Sequence, residues 1–345
     1  MTLISKRGLV EADCSTLTTV TEGYRRLPDL SRPSRLRQVA ATQVAVLIPC
    51  HNEEAAIAKV VRDFHAALPD ATVYVYDNNS TDATVAEATA AGAVVRREPL
   101  QGKGHVVRRM FADVDADLYV LVDGDDTYDA VAAPDMVDLL AAQHLDMVSA
   151  ARCEHARAAY RPGHRFGNQV LTGMVRWVFG AGISDMLSGY RALSRRFVKS
   201  FPALSAGFET ETELTVHALA LHMPVAEIKA DYRPRGAGSA SKLNTLRDGM
   251  RILRTIVTLV QQERPLQVFS TTAMCLCAIG IGLGTPLVLE FLNTGLVPRL
   301  PTALLATGLV ILAFLALACG LILDAVSRGR KELKRLAYLA LGTPE

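Results

Sequence analysis

The chain has 345 residues, a formal net charge of +2, half of its residues apolar and 21% charged. That balance excludes an intrinsically disordered chain and gives no general case for a nucleic-acid partner. The length allows one large domain or two ordinary ones. The six cysteines show neither metal-type nor disulfide-type spacing, and Cys275, Cys277 and Cys319 fall in apolar runs, which points to a reduced cytoplasmic setting.

Residues 1–42 are rich in Arg, Pro, Ser and Thr without a clear period. They lack the sustained apolar core of a signal peptide and read as a loose lead-in. QVAVLIPC (43–50) is a short apolar run and predicts a buried strand. HNEEAAIAKVVRDFHAAL follows with apolar residues at helical spacing, and Asn52 stands where an N-cap belongs. ATVYVYDNNSTDATVAEATAAGA predicts a second strand, a polar turn and a second helix. AVVRREPLQGKGHVVRRMFADV predicts a third strand, a glycine loop and a third helix; DLYVLVDGDD predicts a fourth strand. Strands alternating with helices of this length predict an α/β fold with a parallel, doubly wound sheet.

Ligands on such sheets bind beyond the carboxyl ends of the strands. Here those ends carry Pro49 to Glu53, Asp77 to Asp82, and Asp123-Gly124-Asp125, so three acidic or amide-rich ends converge on one edge. No GxxxxGK[ST] phosphate loop is present, and GKGHVV has two glycines of a dinucleotide fingerprint without the third. Lys103, between those glycines, reads either as a phosphate contact or as a solvated loop lysine. The aspartates after Val122 need a partner, because a buried unpaired carboxylate is costly. Gly124 lets Asp123 and Asp125 approach one point, and their hard oxygens suit Mg²⁺ or Mn²⁺, which takes one or two carboxylates plus substrate phosphate oxygens. Asp126 and Asp129 read as turn and capping residues. Glu209, Glu211 and Glu213 alternate in GFETETEL and read as polar residues opening a helix, with a direct catalytic role as the alternative.

LNTLRDGMRILRTIVTLVQQ is amphipathic and predicts an interfacial helix over 243–264. From Val268 to Leu292 the only charge is Glu290, and from Leu300 to Leu323 there is none. Each run is about 24 residues, above the roughly 18–20 needed to cross a bilayer core, so 268–323 predicts a transmembrane hairpin with spans at 268–292 and 300–323. Arg247, Arg251, Arg254 and Arg264 precede the spans; Arg328, Arg330, Lys331, Lys334 and Arg335 follow them; the connecting NTGLVPR has a single Arg. The positive-inside rule then puts both termini in the cytoplasm, with 324–345 as a basic tail. Gly280, Gly282 and Gly284 read either as a small-residue face for close helix packing or as a locally flexible stretch.

IPCHNEE, YDNNSTD and the strand-ending DGD, in that order and spacing, resemble the GT-A fold of family-2 glycosyltransferases. Downstream, SAARC, RFGNQ, DMLSGYRALSRR, GFETETELTVHA and RPRGAGSASKLNTLRDG resemble the polyprenyl-phosphate glycosyltransferases, the group that contains dolichol-phosphate mannose synthase. The resemblance covers roughly residues 43–260 and implies a GT-A catalytic domain over 43–242. It implies that Pro49, His51 and Glu53 line the nucleotide base and ribose, completed by Asp77 or Asn78. His51 departs from the aromatic often found there. Lys103, as a phosphate contact, joins this donor site. Asp123 and Asp125 would hold the metal and the diphosphate, while Thr127 stands where many relatives carry a glutamine. Arg152 resembles the arginine that meets the nucleotide-sugar, and Arg165 lies where acceptor-phosphate contacts gather. Asp185, in DMLSGYRA, would face the sugar or the reacting centre, and Arg235 and Lys242 would close over phosphates.

The implied activity is inverting transfer of a sugar from a nucleotide-sugar, a UDP-sugar by likeness to relatives with DGDDTY, to a polyprenyl or dolichyl phosphate. The enzyme would be integral to a plasma or inner membrane and in contact with its lipid, making a lipid-linked sugar for envelope glycan or protein glycosylation. Self-association stays open. One alternative is a processive polysaccharide synthase; those carry Gln-x-x-Arg-Trp, whereas Arg176-Trp177 here has Gly173 at the glutamine position. The other is a non-catalytic nucleotide-sugar-binding scaffold, which the retained Asp-x-Asp, Arg and Lys set disfavours.

Overall fold

The computed structural model describes residues 19–20, 42–153, 183–205, 207, 209–233, 254, 257–258 and 260–341. Arg165, Arg235, Lys242, Gly173, Arg176 and Trp177 lie outside these, as do most of 1–42 and of the predicted interfacial helix. The chain divides into two units, Met1–Asp248 with Leu341–Glu345, and Gly249–Ala340.

The first unit is built on one sheet. Its strands are β1 (Thr19–Val20), β2 (Val44–Cys50), β3 (Thr72–Asp77), β4 (Val94–Arg97), β5 (Leu118–Leu121), β6 (Met147–Cys153), β7 (Arg191–Ser194) and β8 (Val225–Asp231). They lie in the order β1-β8-β6-β7-β5-β2-β3-β4. Strands β4, β3, β2 and β5 pair in parallel, as do β6 and β8. Strand β7 runs antiparallel to both β5 and β6. The expected doubly wound sheet is therefore mostly parallel, with β7 reversed near its centre and the short β1 reversed at its edge.

Helices α1 (Ile57–Ala67), α2 (Thr84–Ala90), α3 (Lys103–Asp113), α4 (Ala132–Ala142), α5 (Arg195–Ser200) and α6 (Thr210–Ala220) cover the sheet. Val46, Leu47 and Ile48 are all 0% exposed. Successive strand residues point to opposite faces, so full burial of three in a row requires helices on both sides. Val46 and Ile48 share a core with Ile57, Phe64, Met136 and Leu139 from α1 and α4. Helix α3 packs against β2 and β3 and also meets α5 and α6. Burying a side chain such as Ile57 or Phe64 is worth about 1.5–3 kcal/mol, and this repeated burial holds the layers together.

Helix α1 begins at Ile57 with Ala56 at its N-cap, five residues beyond Asn52's place in the strand-end loop by numbering. Asn52 is thus not the cap that its position suggests. Its φ of 51° is left-handed, a conformation that Asn tolerates better than most residues.

The second unit contains two long helices, α7 (Pro265–Thr294) and α8 (Leu300–Leu339), joined through Gly295, whose φ is 69°. Both are long and apolar enough to cross a membrane, with mean hydropathies of 1.9 and 2.7. Only 11% of each apolar window is buried, and Ile281, Leu304, Ile311, Phe314 and Leu321 are among the exposed side chains. Gly280 lets the helices approach closely, since a Cβ there would lie 3.1 Å from the Ala306 carbonyl oxygen. Gly320 does the same against Phe269, whereas Gly282 meets nothing within 4 Å. The predicted glycine face is thus divided, with Gly280 turned into the hairpin and Gly282 away from it. At the other end of the hairpin, Lys331 and Lys334 bracket the buried Glu263 at 3.3 and 3.4 Å.

Candidate active site

Strand-end loops of β2 and β3 are stitched together by side chains that also shape the site edge. Asn52 N–H donates to Ser80 Oγ, and Asn52 Oδ1 accepts from Thr81 N–H, both at 2.8 Å. Glu53 N–H donates to Thr84 Oγ1 at 2.8 Å, and Ala83 N–H to Glu54 Oε2 at 2.9 Å. Asp77 is 2% exposed and its Oδ1 accepts from Ser80 N–H at 3.0 Å. Asn78 is also buried; its amide donates to the carbonyls of Glu98 and Leu100 and accepts from Gly102 N–H at 2.7 Å. Asn78 thereby holds the glycine loop ahead of Lys103. Pro49 and Cys50 pair with Tyr76 and Asp77 in the sheet, so Pro49, His51, Glu53, Asp77 and Asn78 share one edge. The Nδ1 of His51 is buried without a hydrogen-bond partner among the described residues.

The Asp-x-Asp pair lies beside them at the end of β5. Gly124 is compulsory here, because a Cβ would press on Cys50 Sγ at 2.5 Å and Ile48 Cγ2 at 3.3 Å. Asp125 is 4% exposed, and its Oδ1 accepts from the Thr127 hydroxyl at 2.6 Å. Thr127 therefore braces Asp125. Asp126, at a φ of 57°, pairs with Lys59 of α1 at 2.7 Å, and Asp129 accepts from Val131 N–H at 3.2 Å and pairs with Arg233.

Lys103, the first residue of α3, reaches back to Asp123 Oδ1 and also to Glu211 Oε1 at 2.5 Å. Burial would lower the lysine pKa, but the attraction of Asp123 and Glu211 outweighs it and holds the ammonium well above the usual value. Burial pushes the Glu211 carboxyl up, with Lys103 pulling against it. The second glycine of GKG explains how these residues meet: a Cβ on Gly104 would overlap the Ser205 carbonyl, so only glycine lets α3 press against the entry to α6. Arg191 is fully buried and donates to the carbonyls of Glu211, Met186 and Ser188 at 3.0, 2.8 and 3.0 Å.

The reversal of β7 brings a further stretch to the same edge. Because that strand runs opposite to β5 and β6, its entry lies where their ends lie. The segment DMLSGY thus lands beside Asp123 and Arg152. Arg152 and Asp185 form a two-pronged ion pair, Nε to Oδ2 at 2.6 Å and Nη2 to Oδ1 at 2.8 Å. Asp185 N–H and Ser184 N–H donate to Glu227, and the Arg152 guanidinium lies over the Tyr232 ring at 5.5 Å. Tyr128 OH accepts from Gly189 N–H at 3.0 Å, and burial raises its phenol pKa. Gly189 abuts the Asp123 carboxylate so closely that a Cβ would overlap Oδ2. Gly189→Ala is expected to push Asp123 out of place, lower turnover at least tenfold and reduce the melting temperature by several degrees, since overpacking costs about 1–3 kcal/mol.

Sequence reasoning singled out Lys103, Asp123, Arg152 and Asp185, and the structure joins them as two ion-paired groups. It did not anticipate Gly189 as the floor beneath Asp123, Arg191 as a buried brace, or Glu211 as the second partner of Lys103. The only signal for Glu211 was the Glu-Thr-Glu alternation, which a helix start also explains.

The sheet order, its reversed strand and the acidic edge are those of a GT-A fold. Among solved structures, glucosyl-3-phosphoglycerate synthase from Mycobacterium tuberculosis, in complex with Mn²⁺, UDP-glucose and phosphoglyceric acid, has a TM-score of 0.53 to this chain. That match has 23% identity and covers 65% of this chain and 80% of the other, a likeness of fold. The model of glycosyl transferase family 2 matches residues 45–200. Protein RfbJ of Shigella flexneri is 58% identical over 123 residues, 35% of this chain and 95% of its own. Glycosyltransferase AglJ of Haloferax volcanii is 29% identical over 298 residues, covering 86% of this chain and 98% of its own. A dolichyl-phosphate hexose transferase of the same organism is 29% identical over 222 residues, covering 64% and 95%. The chain belongs to glycosyltransferase family 2 and is a glycosyltransferase.

Proposed function

We propose that this chain is a membrane-bound inverting glycosyltransferase that moves a sugar from a nucleotide-sugar, a UDP-sugar, to a polyprenyl or dolichyl phosphate. The observation that carries the reading is the pairing of an Asp123/Asp125/Lys103 edge with two long, outwardly apolar helices in one chain. A relative named dolichyl-phosphate hexose transferase supports the acceptor class. The basic residues flanking α7 and α8 support a cytoplasmic site, with both termini on that side of a plasma or inner membrane.

The residues present fit a divalent cation. Asp123 and Asp125 offer hard anionic oxygens at the end of β5; among the described residues they belong to no cluster of three or more ligands, so substrate oxygens would have to complete the set. A two-carboxylate site that diphosphate oxygens complete is what Mg²⁺ or Mn²⁺ favours. When bound, the cation neutralises charge on the departing diphosphate. In the transfer, an acceptor phosphate oxygen forms a bond to the anomeric carbon as the bond to the nucleoside diphosphate breaks on the opposite face. The attacking phosphate is already anionic, so no strong base is required. Cationic positioning is the larger need, and Lys103 and Arg152 meet it from the described residues. Arg165, Arg235 and Lys242 are proposed to add acceptor contacts. Pro49, His51, Glu53, Asp77 and Asn78 are proposed to form the base and ribose pocket.

The test is incubation of the full-length protein in detergent with undecaprenyl or dolichyl phosphate and a panel of nucleotide-sugars, with mass analysis of the lipid. A hexose-sized gain on the lipid phosphate is expected with at least one donor. Transfer to a soluble acceptor alone, with no lipid product, would falsify the acceptor assignment.

A further inference from the structure

Asp123, which the proposed function gives to a divalent cation, already has a cation on it. The Lys103 ammonium sits on Asp123 Oδ1 within hydrogen-bond distance, and Gly189 closes against Oδ2. A divalent cation and an ammonium on the same carboxylate oxygen repel each other, so metal binding at Asp123 favours withdrawal of Lys103. The fold supplies the place to withdraw to. Glu211 Oε1 holds the same ammonium at 2.5 Å, and Glu211 Oε2 is buried without a hydrogen-bond partner among the described residues. The Glu211 backbone is held in place, because its main-chain carbonyl oxygen accepts from Arg191 Nη2 and from the Thr215 hydroxyl, each at 3.0 Å. Lys103 is the adaptable member of this trio, a charge on a flexible four-carbon stem.

We propose that Lys103 is the built-in counter-ion of Asp123 in the donor-free protein. Glu211 is a positioning residue that retains the ammonium when a divalent cation takes Asp123. The exchange costs the protein no unpaired buried charge, since the lysine stays on one carboxylate throughout. It also leaves the ammonium next to the carboxylates where the diphosphate arrives. This inference rests on the assignment of Asp123 and Asp125 to the metal.

The experiment is Mn²⁺ binding to the full-length protein in detergent without nucleotide, read from the electron paramagnetic resonance signal of the free ion. Wild type, K103M, E211Q and the double variant are compared after circular dichroism has shown that each is folded. K103M is expected to bind Mn²⁺ about tenfold tighter than wild type, because Asp123 loses its competitor. E211Q is expected to bind about tenfold weaker, because Lys103 then has only Asp123 to pair with. In the K103M background, E211Q should change affinity by no more than about twofold, since Glu211 acts through the lysine. K103R, which keeps the charge, should return near wild-type affinity; if K103M does not fold, K103Q takes its place with the same expected gain.

Equal affinity of wild type and K103M overturns the counter-ion role. An E211Q loss of the same size with and without Lys103 overturns the positioning role. No Mn²⁺ binding to any of the proteins overturns the metal assignment itself, a result distinct from the other two.

Discussion

Asp125→Ala is expected to lower kcat/KM for sugar transfer by about three orders of magnitude while the protein still folds and enters detergent micelles normally. The carboxylate is 4% exposed and its near oxygen is braced by the Thr127 hydroxyl, so its geometry is set before any ligand arrives. Removing it takes away half of the hard-oxygen pair and leaves the Thr127 hydroxyl without that acceptor, a stability loss of about 1 kcal/mol. The catalytic loss is therefore far larger than the folding loss. The paired measurement is wild-type transfer with a chelator, which should be abolished and then restored by Mg²⁺ or Mn²⁺. Transfer by Asp125→Ala in the presence of chelator would remove the metal from the proposal.

The second large effect concerns Asp185. The sequence resemblance puts it facing the sugar or the reacting centre, yet both of its oxygens are engaged by Arg152 at 2.6 and 2.8 Å. Such a forked pair is strong and fixes the guanidinium plane. We predict that Asp185→Asn lowers kcat/KM about a hundredfold by freeing Arg152, and that Arg152→Lys costs a similar amount because an ammonium cannot form the fork. The shape of the pH–rate profile should survive both changes. If Asp185→Asn erases the acidic limb of that profile while Arg152→Lys leaves activity high, Asp185 is a base and the fork is secondary. Asp185→Ala should also lower the melting temperature, since the half-buried Arg152 loses both arms of the fork, a loss of about 1–3 kcal/mol.

Much of this site was legible before any coordinates. Apolar runs ending in PCHNE, DNNSTD and DGD placed three polar strand ends on one edge, because a parallel sheet sends every carboxyl end the same way. Asp123 and Asp125 stood out on chemistry alone. What escaped were Gly189, Arg191 and the pairing of Glu211, and only the family resemblance pointed to Asp185. DMLSGY precedes its strand, so a rule about carboxyl ends passes over it; the reversal of β7 turns that entry into part of the site. Asn52 was misplaced for a related reason. A polar residue ahead of a helical pattern reads as a cap, but its φ of 51° and its bonds to Ser80 and Thr81 commit it to the neighbouring loop.

Local pattern determined the α/β alternation, the acidic edge and the two long apolar helices, because periodicity and charge are written residue by residue. Tertiary structure alone decided which charges neutralise one another. Lys103 and Glu211 are 108 positions apart, and nothing in either neighbourhood points to the other. They meet because Gly104 lets α3 close on the carbonyl of Ser205 at the mouth of α6. In a buried edge of low dielectric, charges pair with whatever the packing brings within reach, and packing is a property of the whole chain.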